Sequence, residues 1–89
     1  LKGERNKMSL SETLKNMRQK AFMSQESFAN ELNVSVATIN RWENGRAKPN
    51  ITAMNKIKTF CENKKLPFDE IENEWFNYSY KEINRENKV

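Results

Sequence analysis

Histidine is missing from the 89-residue chain, and cysteine occurs once, at Cys61. Without histidine the usual general base and the commonest transition-metal ligand are both gone. A lone cysteine builds neither a disulfide framework nor a zinc site. Glycine and proline are also scarce, two of each, so no glycine-rich loop is available to cradle a phosphate. No apolar run approaches the length that crosses a bilayer, and Leu1–Lys7 is polar and charged, unlike a secretion signal. These absences argue against an enzyme, a bound metal or cofactor and a membrane protein, and they lead us to expect a cytoplasmic chain.

What is present is a small basic domain. The formal charge is +4, and it is uneven: residues 1–48 carry nine Lys/Arg against five Asp/Glu, whereas residues 49–89 carry seven of each. Eighty-nine residues suffice for one modest core. Apolar spacing predicts an all-α, five-helix domain over 9–73, preceded by a flexible segment, 1–8, and followed by a short aromatic extension, 74–89. Ser9 or Ser11 caps a first helix reaching about Lys20, with Leu10, Leu14 and Met17 on one face. Ser24 caps the second, and the third runs from Val36 to about Asn44, where Gly45 stops it. Asn50 caps a fourth helix carrying Ile51, Met54, Ile57, Lys58 and Cys61, and Pro67 marks the entrance of a fifth.

The segment Gln25–Gly45 is the most informative. Phe28, Ala29 and Leu32 form one apolar stripe; Ile39 and Trp42 form a second. Between them Asn33 tolerates the left-handed conformation of a sharp helix end. Val34 fills the corner, and Ser35 is a good N-cap for the next helix. Ala29 is small enough for two helices to cross closely. Two short helices joined by a tight turn predict binding to double-stranded DNA.

These residues resemble the phage-repressor and Xre type of helix-turn-helix transcriptional regulators. The resemblance runs from about Leu14 to about Ile71. It rests on Ser24-Gln25-Glu26, the corner Ala29-Leu32-Asn33-Val34-Ser35, Thr38-Ile39, Arg41-Trp42-Glu43-Asn44-Gly45, Lys48-Pro49 and Phe68-Asp69-Glu70-Ile71. Asn33 stands where glycine is commoner, and Val36-Ala37 replace polar residues often found at the start of the reading helix. The resemblance implies a sequence-specific regulator, a repressor in the first place, bound as a homodimer to inverted repeats. It also implies an ion pair between Arg18 and Glu43 that ties the first helix to the end of the third, and a phosphate contact at Gln25.

The residues themselves divide the same surface. With Ile39 and Trp42 turned inward, Val36, Ala37, Asn40 and Arg41 share the opposite side and are expected to meet base edges. Thr38, Asn44, Arg46 and Lys48, together with Gln25, are expected at phosphates. Trp75, Phe76, Tyr78 and Tyr80 concentrate four of nine aromatic residues in a short stretch. Ile71/Trp75/Tyr78 fits a helical face and Phe76/Tyr78/Tyr80 a strand face. This stretch either enlarges the core or forms a dimer contact or a docking surface for another protein. An antitoxin or a restriction–modification controller would use the same DNA-binding domain, and apolar Val36 and Ala37 suit a protein-interaction module that has lost DNA contact.

Overall fold

The computed structural model describes residues 8–87, with side chains described as far as Tyr78. Five helices follow one another: α1 Leu10–Lys20, α2 Gln25–Leu32, α3 Val36–Glu43, α4 Ile51–Lys64 and α5 Asp69–Asn87. Among the described residues there is no strand.

Local chemistry sets the helix boundaries. Ser9 caps α1 in a reciprocal capping box with Glu12, while Ser24, Ser35 and Asn50 accept the third-residue amide of α2, α3 and α4. Three C-termini close by a recurrent device, in which an amide two or three residues past the helix reaches back five positions. Val34 bonds Ala29, Arg46 bonds Arg41 and Leu66 bonds Cys61, at 2.8–2.9 Å. The residue between must take a left-handed backbone. Asn33 does so at φ 57°, ψ 47°, and Gly45 at φ 75°. Gly45, rather than Asn44, therefore carries the chain out of α3.

The core is one cluster to which every helix contributes. Leu10, Leu14 and Met17 come from α1, Phe28, Ala29 and Leu32 from α2, and Ile39 and Trp42 from α3. α4 adds Ala53, Met54, Ile57, Phe60 and Cys61, and α5 adds Ile71. Phe28 and Phe60 meet edge to face with ring centroids 5.1 Å apart. Met54, Ile57 and Cys61 of α4 are buried as expected, whereas Ile51 is 68% exposed and Lys58 is also at the surface. Ile51 is the first residue of its helix, beyond the reach of the packed layers. Cys61 Sγ lies 3.3 Å from Met17 Sδ, and burial pushes its thiol pKa up to about 11.

The aromatic stretch is helical. α5 passes from 73 to 74 without interruption, and the face Ile71/Trp75/Tyr78 turns toward the cluster, with Trp75 and Tyr78 partly buried against it. Phe76 points outward at 60% exposure. The expectations for residues 1–7 and for the Tyr80 side chain lie outside the described residues.

Phe22 ends α1 with φ 59° and a side chain 95% exposed. A bulky residue in the left-handed region costs about 1–2 kcal/mol, and here little packing offsets it. Phe22→Gly should raise the unfolding free energy in urea by up to about 1 kcal/mol, after allowing for the extra freedom of an unfolded glycine. A loss of stability would show that the ring covers apolar surface in solution.

Candidate nucleic-acid interface

One carboxylate organises the approach to α3. Glu43, in the last turn of α3, receives Arg18 Nε at 2.8 Å and Arg18 Nη2 at 3.0 Å, a bidentate fork from α1. Gln25 Nε2, at the start of α2, donates to the same carboxylate at 3.0 Å. The remaining Arg18 nitrogen, Nη1, donates to the Met23 carbonyl at 2.8 Å. The two charged side chains are only 10% and 4% exposed. The hydrogen bond to Glu43 holds the Arg18 guanidinium pKa above its ordinary value. Three helices are thus referenced to a single point, which fixes α3 against α1 and α2.

The outer side of α3 follows from that fixing. Ile39 and Trp42 are buried, and Val36, Ala37, Asn40 and Arg41 lie exposed on a contiguous arc opposite them. The arc follows from about 3.6 residues per turn. Asn44 Nδ2 donates to Asn40 Oδ1 at 3.0 Å, which steadies the Asn40 amide and leaves its own NH2 to donate outward. The Ser35 and Thr38 hydroxyls share a 2.8 Å hydrogen bond at the N-terminus, so Thr38 sits half-buried at the edge of the arc. No acidic residue occupies the first turn of α3 or of α4, so neither positive helix end is neutralised from within.

Beside the arc runs a groove of about 360 Å³ between α3 and the start of α4. Arg41, Lys48 and Lys56 line it, and no carboxylate does. Lys56 also donates to the Leu32 carbonyl at the C-terminus of α2, at 3.1 Å. Sequence reasoning missed Lys56. Its only advance signal was a cation one turn into a helix beginning just past the basic loop. Lys48 does not extend freely into solvent. Its Nζ lies 3.6 Å from the centroid of the Trp75 ring and 3.3 Å from the Trp75 carbonyl, and desolvation lowers its pKa. Arg46, by contrast, is exposed in the loop after Gly45.

The expected site residues therefore gather on one side of the molecule in two groups. Val36, Ala37, Asn40, Arg41 and Asn44 lie along α3, while Thr38, Arg46 and Lys48 flank it. Gln25 stands apart, with one amide N–H spent on Glu43 and a second available. Among the described residues no group of three or more Cys, Asp or Glu is arranged to hold a metal, and no helix is long and apolar enough to cross a membrane.

A helix-turn-helix family model matches residues 14–61, more than half of the chain. A search of the curated proteins and of the solved structures finds no match.

Breaking the buried ion pair tests its structural weight. Glu43→Ala leaves Arg18 charged and unpaired, and a cost of about 3–5 kcal/mol is expected in urea unfolding. That is a large part of the 5–15 kcal/mol typical of a domain. The double replacement Arg18→Met with Glu43→Leu should recover most of the loss, because apolar side chains of similar volume need no charge partner. A double variant as unstable as Glu43→Ala would assign the cost to lost packing instead.

Proposed function

Because the chain belongs to the phage-repressor and Xre type of helix-turn-helix DNA-binding regulators, we propose that it is a sequence-specific repressor that lays α3 in the major groove. The observation that supports this most is the exposed arc of α3, where Asn40 and Arg41 stand beside Val36 and Ala37, bordered by a groove with three cations and no carboxylate. Three cations gathered without a carboxylate suit a surface that faces phosphates.

In this reading Arg41 supplies the strongest base contact, since its planar fork can donate two parallel hydrogen bonds to guanine O6 and N7. Asn40, steadied by Asn44, is suited to adenine. Val36 and Ala37 let the helix approach closely and meet thymine methyl groups. The backbone contacts come from Gln25 through its second amide N–H and the uncapped amides of the first turn of α2, and from Thr38, Asn44, Arg46 and Lys48. The protein acts in the cytoplasm, on the nucleoid.

One such module grips a single half-site, and two copies about 34 Å apart on one face of the duplex would read an inverted repeat. Ile51 and Phe76, the large apolar side chains left exposed where α4 meets α5, line a cleft of about 270 Å³ there. That cleft, which Trp75 also lines, favours a contact between two copies there over one at Tyr78, which packs against its own domain.

The test is DNA titration over a range of salt, with a duplex selected from a random pool and an unrelated duplex. Arg41→Ala should weaken the selected duplex by about 1–3 kcal/mol and the unrelated one far less. Arg46→Ala should weaken both alike and reduce the salt slope by about one. Phe76→Ser should sediment as a monomer and bind a two-half-site duplex little better than one half-site. A wild-type protein with no salt-dependent binding to either duplex would contradict the reading.

A further inference from the structure

Residues 45–49 link α3 to α4 and carry Lys48, one of the three cations that line the groove. A loop of this kind ordinarily moves, and a lysine on a four-carbon stem ordinarily samples many rotamers. Here one residue from a distant helix restrains both. The Trp75 indole N–H donates to the Pro49 carbonyl at 2.6 Å. The Trp75 ring supports the Lys48 ammonium at 3.6 Å, and the Trp75 carbonyl accepts from it at 3.3 Å. One turn further along α5, the Tyr78 hydroxyl donates to the Gly45 carbonyl at 3.3 Å. Both ends of the loop are thus bonded to the same face of α5. Lys48 nevertheless lines the groove with Arg41 and Lys56, and an ammonium with three donors that meets a carbonyl and a ring face keeps at least one for an anion.

We propose that Trp75 is a positioning residue for the DNA-backbone contact, a clasp from α5 that fixes the α3–α4 loop and holds the Lys48 ammonium at the groove. The inference rests on the DNA-binding reading above. Its physical advantage is preorganisation: the rotamer freedom that a loose lysine gives up on meeting a phosphate has already been given up on folding. Lys48 carries no base information, so the clasp governs affinity for any duplex and leaves sequence preference alone.

The full chain and two duplexes of unrelated sequence provide the test. Trp75→Leu should weaken both by a common factor and lower the salt slope by about one, as Lys48→Ala does. Combining the two changes should weaken binding by clearly less than the sum of the separate losses, because they share the Lys48 contact. Trp75→Phe, which keeps a ring beneath the ammonium, should restore most of the slope. A folded Trp75→Leu with the wild-type slope, or losses that simply add, would overturn the proposal. If Trp75→Leu loses its helical circular dichroism, the cycle is run with Trp75→Met, which keeps apolar bulk without the ring or the indole N–H, and Lys48→Ala; coupling in DNA affinity supports the clasp and additivity overturns it. Failure of the DNA-binding reading itself is recognised separately, by a wild-type protein that shows no salt-dependent binding to either duplex, and the clasp falls with it.

Discussion

Everything about the presented surface depends on the Glu43 carboxylate, which is bound at once by Arg18 of α1 and Gln25 of α2. α3 has only eight residues, and α2 has eight as well. Helices this short are marginal by themselves, so their geometry must come from tertiary contacts. Ile39 and Trp42 supply the adhesion, but hydrophobic burial is non-directional. A bidentate guanidinium–carboxylate pair is directional, and it sets the angle at which the outer side of α3 stands. Such a pair adds little net stability when its desolvation is counted. Its value lies in fixing one arrangement of three helices.

The same economy of polar contacts recurs at the other end of α3. Gly45 turns the chain, Asn44 steadies Asn40, and α5 reaches across to Pro49 and Lys48 through Trp75. The arc of α3 is therefore braced at its C-terminal end and along its flank, while its outward side chains touch almost nothing within the domain. A rigid frame around unengaged polar groups is the arrangement that recognition requires, since the entropy of ordering is lost on folding and not on binding. Arg46 is the exception: it is exposed in the loop.

Much of this was legible in the sequence because the signals were local. Serine and asparagine caps, the left-handed Asn33 and the stripes of Phe28/Leu32 and Ile39/Trp42 each act within one turn of helix, and a short-range pattern suffices to read them. The pairing of Arg18 with Glu43 spans 25 positions and could be expected only through the family resemblance. The engagement of Lys48 by Trp75 spans 27 positions. No pattern in the sequence signals it, because it depends on how α5 lies across the α3–α4 loop. Periodicity also left the aromatic stretch undecided between helix and strand, and packing of Ile71, Trp75 and Tyr78 on the core resolves it as helix. Ile51 fits the apolar spacing of α4 yet stays exposed, because it is the first residue of that helix.

If the outer side of α3 and its flanking loop meet DNA, as proposed, amide chemical shifts followed by NMR during titration with a duplex should change most at residues 36–41 and 44–48 and at the start of α2. α1 and the Ile51–Phe76 cleft should be little affected by a single half-site. Changes concentrated in that cleft, with α3 unmoved, would contradict the proposal.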